Sequence, residues 1–215
     1  ARAPLWIAKP ARAGRGVGVA VFPDGQRPPR LAGVVSEYVH PPLLIAGRKV
    51  DLRLYVLVRS ADPLQAYVHE NGYVRFAAMD YGTSDCAPQR HLTNNAVNRA
   101  LSRPPPPLPD AEVGPGDNWP LRYLWSHVDR GHVWPRVCDL LHRVLALVAP
   151  RLGARGPTKC FALLGFDVLL GADLEPWLCE VNANPTLEGR RAIDRGVDLE
   201  VVGDLLDSLE GGAPL

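Results

Sequence analysis

Lysine is scarce in this 215-residue chain, where only Lys9, Lys49 and Lys159 occur and arginine supplies the rest of the 24 basic residues. With 23 acidic residues the formal net charge is +1, and no basic stripe stands out, so a chain built for nucleic-acid binding is not expected. Long apolar runs are lacking too. Apolar residues make up 47% of the chain but come in short blocks such as VDLRLYVLV and FALLGFDVLL, far below the roughly 20 residues a membrane span needs. No charged and then apolar leader opens the sequence, so no secretory signal is expected. A strand beginning at Leu5, directly behind the first residues, suggests a piece of a longer protein. The four cysteines, Cys86, Cys138, Cys160 and Cys179, form no CxxC and lie far apart. Reduced thiols of a cytosolic protein fit better than disulfides or zinc, with Cys138 and Cys179 on apolar faces. There is no internal repeat, and neither GxGxxG nor a Walker pattern.

What is present suits one domain or two closely packed lobes. A strand over 5–9 leads through a glycine loop (Ala13, Gly14, Arg15, Gly16, Val17, Gly18) to a second strand over 19–22, and a third spans 33–39. The long strand 50–58 precedes 66–70 and 73–77, which the Asn71-Gly72 pair should join as a tight hairpin. The Pro-rich stretch 101–118 reads as an exposed loop without its own function. Asp117 or Asn118 should cap a helix with Pro120 in its first turn. A second helix should start at Pro135, with Val137, Leu140, Leu141, Val144, Leu145 and Val148 at helical spacing, and stop at Pro150. Strands follow over 163–170 and 176–182. A last helix begins near Asp198 and carries Val201, Val202, Leu205, Leu206 and Leu209.

The sharpest chemical signal lies in the last two strands, which should pair antiparallel across the turn 171–175. If Phe166, Val168 and Leu170 share an apolar face with Trp177, Cys179 and Val181, then Asp167, Glu180 and Asn182 fall on the other. Opposed carboxylates repel, and relief requires a raised pKa or a cation between them. Oxygen-only donors suit Mg²⁺, while a solvated face or a carboxylate held by a nearby arginine would explain the same pattern without a metal. Amides of the glycine loop could approach phosphates, and Lys9 could hold phosphate oxygens, although either could equally be an ordinary turn and a solvated side chain. Asp51, Arg53 and Tyr55 alternate with Leu52, Leu54 and Val56; pairing of Asp51 with Arg53 is the plain explanation. Arg75 would then lie beside Glu70 as a surface ion pair, and His91-Leu92-Thr93-Asn94 would be a capped turn.

Taken in order, these segments resemble the tubulin tyrosine ligase-like family over nearly the whole chain. The matching pieces begin with Trp6-Ile7-Ala8-Lys9-Pro10, Arg15-Gly16-Val17-Gly18-Val19 and Pro42-Leu43-Leu44-Ile45, which leads to Lys49-Val50-Asp51-Leu52-Arg53-Leu54-Tyr55-Val56. Val74-Arg75-Phe76-Ala77, His91-Leu92-Thr93-Asn94 with Val97-Asn98, Gly165-Phe166-Asp167-Val168 and Glu180-Val181-Asn182-Ala183-Asn184-Pro185 complete the set. Departures from the family pattern are Ala13-Gly14 before the loop arginine, Ser36-Glu37 near the hinge, and Ala162. The resemblance implies an α+β ATP-grasp fold, two lobes whose antiparallel sheets enclose the nucleotide, with residues 1–215 as the catalytic region. A glycine-loop lobe would span 1–40 and a C-terminal catalytic lobe 41–215, the family's N-terminal lobe being missing.

It also implies roles. Lys9, Arg53 and Arg75 look like the catalytic cations, and Lys9, Arg15, Gly16 and Gly18 like the cover of the triphosphate. Glu37, Tyr38 and Val39 resemble the adenine hinge, Lys49 and Asp51 the base and ribose contacts, and His91, Leu92, Thr93 and Asn94, with Arg75, further nucleotide contacts. Asp167, Glu180 and Asn182 match the Mg²⁺ ligands. The activity implied is ATP-dependent joining of glutamate to glutamate side chains, with tubulin's acidic tails and free glutamate as substrates. DLRLYVLV, Asp62-Pro63-Leu64, VRFA and HLTNNAVN look closest to the glutamylating members. A glycine or tyrosine ligase, or a nucleotide- or tubulin-binding module without catalysis, is the alternative reading. A monomer on cytoplasmic microtubules, with cilia, flagella or basal bodies among the sites, is the matching expectation.

Overall fold

The computed structural model describes residues 4–98, 104–108, 118–152, 161–187, 189 and 192–210. Asp117, Cys160 and most of the 101–118 stretch lie outside these residues, so the expectations placed on them are not addressed. The smaller of two antiparallel sheets has the order β2-β1-β3, from β1 Leu5–Pro10, β2 Ala20–Pro23 and β3 Gly33–Glu37. The loop joining β1 to β2 turns through positive φ at Arg15, Gly16 and Gly18. Gly16 also packs tightly, since a Cβ there would sit 2.9 Å from Asn94 Oδ1.

The larger sheet comprises β4 Leu44–Ile45, β5 Arg48–Ala61, β6 Leu64–Phe76, β7 Trp119–Pro120, β8 Ala162–Leu170 and β9 Pro176–Asn182. Its order is β7-β6-β5-β8-β9, with β4 paired to the start of β5. Period-two alternation divides the two faces. Leu52, Leu54, Val56, Val74, Phe166 and Val168 form one buried face, covered by α3 Arg130–Leu152 through Val133, Val137, Leu141 and Leu145. Truncating one of these, for example Leu52→Ala, costs about 2–5 kcal/mol. The opposite face carries Asp51, Arg53, Tyr55, Tyr73, Arg75 and Asp167 and is partly roofed by α4 Ala192–Leu209. Short helices α1 Pro88–His91 and α2 Asn95–Asn98 flank it. No helix of the described residues is long and apolar enough to cross a membrane.

Several expectations are corrected. Asn71-Gly72 is not a hairpin turn, because β6 runs unbroken through it and the chain reverses at Asp62-Pro63. The pairing jumps from Leu54↔Gly72 to Val56↔Val68, a bulge in β6 held by His69 Nδ1 on the Asn71 backbone and by Asn71 Nδ2 donating to Glu200. Glycine at 72 serves close approach, since a Cβ would meet the Arg53 carbonyl at 2.3 Å. Asn118 caps nothing. Trp119-Pro120 pairs with β6 as a strand, and a 3₁₀ turn over Leu121–Ser126 follows. Helix α3 starts at Arg130 and continues past Pro150 to Leu152, and α4 begins at Ala192 rather than Asp198. Within the Pro-rich stretch, Pro105 is buried, and the carbonyls of Pro104 and Pro106 accept from Arg48 and Trp119, so the described part is packed.

The β8–β9 pairing holds with one change. Gly165↔Asn182, Phe166↔Val181 and Asp167↔Glu180 are in the expected register, but a bulge at Cys179 shifts the rest to Val168↔Leu178 and Leu169↔Trp177. Cys179 is therefore not part of an apolar face with Val168. It sits among Lys9, Lys49, Asp51 and Asp167, and burial pushes its thiol pKa up. Cys86, Cys138 and Cys179 are all free thiols.

Candidate active site

Alternate residues of β5, β6, β8 and β9 point into a polar cavity of about 440 Å³. Arg53, Arg75, Asp167, Glu180 and Asn182 line it, with Arg15 of the glycine loop and Asn94 at its rim. Antiparallel register places Asp51 opposite Arg75, and Arg53 opposite both Tyr73 and Asp167. The Arg75 guanidinium forks onto Asp51 (Nε to Oδ1 2.7 Å, Nη2 to Oδ2 2.6 Å), and Nη2 lies 2.8 Å from Asp167 Oδ2. Arg53 donates to the same carboxylate through Nε (2.6 Å) and Nη2 (3.2 Å). Thr93 Oγ1 donates to Asp51 Oδ2 at 2.6 Å.

This network balances two carboxylates against two guanidiniums in a buried place, where charge must be paired. Burial alone would raise the pKa of Asp167, but the charges and hydrogen bonds of Arg75 and Arg53 outweigh it and hold the carboxyl below its usual range. Burial opposes the charged form of Arg75, yet Asp51 and Asp167 push its pKa upward. At Asp167 the carboxylate is held by nearby arginines, and its pKa is lowered rather than raised. The expected surface pair of Arg75 with Glu70 is also replaced: Glu70 is exposed and pairs with Arg130. Asp51 and Arg53 do not pair with each other but with Arg75 and Asp167.

Glu180 is exposed to the cavity beside Asn182, and both belong with Asp167 to one sheet face. Among the described residues no three His, Cys, Asp or Glu side chains cluster closely enough to hold a metal alone. Two carboxylates and an amide are hard oxygen donors, so this set fits Mg²⁺ when a nucleotide's oxygens complete it.

A second cluster lies where the small sheet meets β5. Lys49 Nζ donates to Tyr38 Oη (2.8 Å) and to the His91 carbonyl (2.9 Å), and sits 4.3 Å from the Tyr38 ring centre. Burial lowers its pKa from 10.5 to about 8. His91 Nδ1 is 3.2 Å from Tyr38 Oη, and burial lowers the pKa of the imidazole. Lys9 Nζ donates to the Cys179 carbonyl at 3.4 Å, which ties the small sheet to β9.

The structure therefore sorts the expected residues into groups. Arg15, Arg53, Arg75, Asn94, Asp167, Glu180 and Asn182 share the cavity, with Asp51 and Thr93 supporting it from behind. Lys9, Tyr38, Lys49 and His91 gather in the second cluster, outside the cavity wall. Gly16 lies against Asn94, and Gly18 against Pro10. Of the hinge, Glu37 is exposed, Val39 is half-buried, and the Tyr38 amide is committed to the Leu5 carbonyl. Leu92 is buried and its carbonyl accepts from Asn98.

The model of the tubulin-tyrosine ligase family matches residues 1–211. The chain belongs to the tubulin-tyrosine ligase family. It is 34% identical over 217 residues to tubulin monoglutamylase TTLL4 of Mus musculus, covering 94% of this chain and 18% of that protein. It is 35% identical over 214 residues to the probable tubulin polyglutamylase TTLL2 of Mus musculus, covering 95% of this chain and 38% of that protein. Tubulin polyglutamylase TTLL5 of Homo sapiens is 34% identical over 223 residues, covering 95% and 17% respectively. The chain thus spans well under half the length of these relatives. Its α+β architecture with antiparallel sheets is the one expected of this family.

Within this family member the cavity has walls that sequence reading missed. Tyr55, Tyr73, Asn118, Asn184, Asp194 and Asp198 also line it. Tyr55 was visible as a polar position on β5, and Asp198 only as the supposed start of a helix. Tyr73 depends on the bulge at residues 69–71, and the placement of Asp194 and Asp198 depends on how α4 docks, neither of which local pattern encodes.

Proposed function

We propose that this chain carries the nucleotide and substrate site of an ATP-dependent protein–glutamate ligase acting on acidic tubulin tails. The observation that carries the reading is the buried Asp51–Arg75–Asp167–Arg53 network opening on a cavity also lined by Glu180 and Asn182. The names of the glutamylating relatives support the choice of glutamate and tubulin over glycine or tyrosine.

A carboxylate resists an amine because its oxygen is a poor leaving group. Transfer of the γ-phosphoryl group of ATP to a carboxylate oxygen gives an acyl phosphate and ADP. The amine of the incoming amino acid attacks the acyl carbon, phosphate leaves, and an amide remains with loss of the ammonium protons. Such chemistry asks for charge neutralisation and alignment. Arg53 and Arg75 would hold phosphate and carboxylate oxygens, Asp51 and Thr93 would fix Arg75, and the glycine loop with Arg15 would cover the triphosphate. Lys9 would reach phosphates from the small sheet, while Lys49, Tyr38 and His91, with 37–39 and 92–94, would border the base and ribose. Mg²⁺ bound by Asp167, Glu180 and Asn182 would supply further neutralisation of phosphate charge. The corresponding lobes are 1–40 and 41–215, and the place of action is cytoplasmic microtubules, with cilia, flagella and basal bodies included.

The test incubates the full-length protein with Mg-ATP, acidic tubulin-tail peptides and isotopically labelled glutamate, glycine and tyrosine, read by mass spectrometry. Glutamate addition in preference to the other two is expected. Preferential glycine or tyrosine transfer would overturn the choice of amino acid, and nucleotide binding with no transfer of any would sink the ligase reading.

A further inference from the structure

Helix α4 roofs the cavity without sharing the main core. None of its residues belongs to the large apolar cluster that α3 builds with the larger sheet. Val197 and Val201 pack instead on Tyr55 and Tyr73, a separate cluster bordered by Leu163 and Leu187. Further fastening is polar and follows alternate residues of β6. Tyr73 Oη lies 2.7 Å from Asp198 Oδ1, and Asn71 Nδ2 donates to Glu200 Oε2 at 2.9 Å. With His69 Nδ1 accepting from the Asn71 amide at 3.0 Å, Nε2 carries the hydrogen and donates to Asp204 Oδ2 at 2.9 Å. Glu200 and Asp204 are exposed, so water competes for both bonds.

The helix is also weak by its own sequence. Gly196 and Gly203 lie within it, and a Cβ at either would meet nothing within 4 Å, so packing does not call for glycine. Each lowers the helix-forming equilibrium about fivefold relative to alanine. Ser208 is fully buried, and its Oγ has no hydrogen-bond partner, which further disfavours the docked helix. A segment with few apolar contacts, solvent-accessible polar bonds and poor intrinsic propensity opens more readily than the sheet beneath it. Its opening bears on the cavity directly. Asp198 lines the wall and holds the amide of Gly189, another lining residue, through Oδ2 at 2.6 Å. Lifting α4 takes Asp198 away and uncovers Tyr55 and Tyr73, while Asp51, Arg75, Asp167 and Arg53 keep one another on the sheet.

We propose that α4 is a roof that opens and closes over the cavity separately from the sheet, with His69 and Asn71 of the β6 bulge as its latch. Opening widens that end for a substrate to enter, and closing excludes water from it. This motion is independent of which reaction the cavity serves.

Native-state amide hydrogen exchange of the full-length protein tests it, read by mass spectrometry with fragmentation to single amides. Amides 199–203, in the middle of α4 and clear of fraying ends, should be at least about tenfold less protected than amides 52–57 of β5. Urea below the unfolding transition should quicken β5 steeply and α4 little, since a local opening exposes less surface. The Gly189 amide should follow α4 in both respects. Asp204→Val removes one bond of the latch and puts in a residue of similar helix propensity, so α4 exchange should quicken about fivefold. Gly203→Ala should slow it by about the same factor. Equal protection of α4 and β5, or the same urea dependence, would overturn the proposal. So would a Gly189 amide that keeps the protection of β5, or α4 exchange unchanged by Asp204→Val. Should Asp204→Val fail to fold, the comparison within the unaltered protein and Gly203→Ala, which fills open space, still decide.

Discussion

Arg75 serves both the stability of the sheet and the charge of the cavity. Its guanidinium binds Asp51 through two hydrogen bonds and reaches Asp167, so Arg75→Ala takes the guanidinium partner from Asp51 and leaves Asp167 with Arg53. Denaturant unfolding should show a loss of about 3–5 kcal/mol. Glu180→Gln is the contrasting case. Its side chain is exposed, so unfolding should change by no more than about 0.5 kcal/mol, while Mg²⁺-dependent nucleotide binding weakens by tenfold or so. Equal effects of the two changes on stability would refute the separation between supporting and ligand-facing groups.

Lys49 gives a pH signature at the same scale. Because burial lowers its pKa from 10.5 to about 8, the unfolded chain binds more protons than the folded one between those values. Its contribution to unfolding free energy therefore rises as pH increases from about 8 toward 10.5, and is a constant penalty below that window. Urea titrations across this range should show the rise in the native protein, and Lys49→Met should flatten it.

Among the elements, β6 and β9 are decided by their bulges. Without the extra residues at 69–71, Tyr73 would lose its place opposite Arg53, and without the one at Cys179 the outer half of β9 would turn its faces over. Gly72→Ala tests this directly: the added Cβ meets the Arg53 carbonyl at 2.3 Å and must pry β6 from β5. Unfolding experiments should show a loss of about 1–3 kcal/mol. Amide exchange should quicken along 72–75, and Arg53 should lose its fixed geometry on Asp167. If Gly72→Ala is neutral, the close approach is not what retains glycine there.

For the whole molecule, the small sheet meets the rest through Lys9 on the Cys179 carbonyl, Tyr38 on Lys49 and His91, the packing of Leu5, Val21 and Tyr38 with Tyr81 and Cys86, and the glycine loop against Asn94 and Val97. A nucleotide contacting both sheets would add to these contacts and stabilise the assembled form by mass action. Saturating Mg-ATP, at about a hundredfold over its dissociation constant, should add about 2.7 kcal/mol and raise the melting temperature by several degrees. ATP with EDTA should do less. An unchanged melting temperature at saturation would count against a nucleotide bridging the two sheets.

The sequence by itself determined the α+β class, nearly all the long strands, and the acidic and amide positions 167, 180 and 182 on one face, because alternation in a half-buried strand is a local property of the chain. The order of motifs also singled out Arg53 and Arg75, which both line the cavity. Which acid each arginine meets was decided only by tertiary structure, since Asp51–Arg75 and Arg53–Asp167 depend on the register of three strands at once. The bulges and the docking of α4 over Tyr55 and Tyr73 belong to the same class. They arise from contacts between residues far apart in sequence, where no spacing rule reaches and only the packing of the sheets and helices fixes the neighbour.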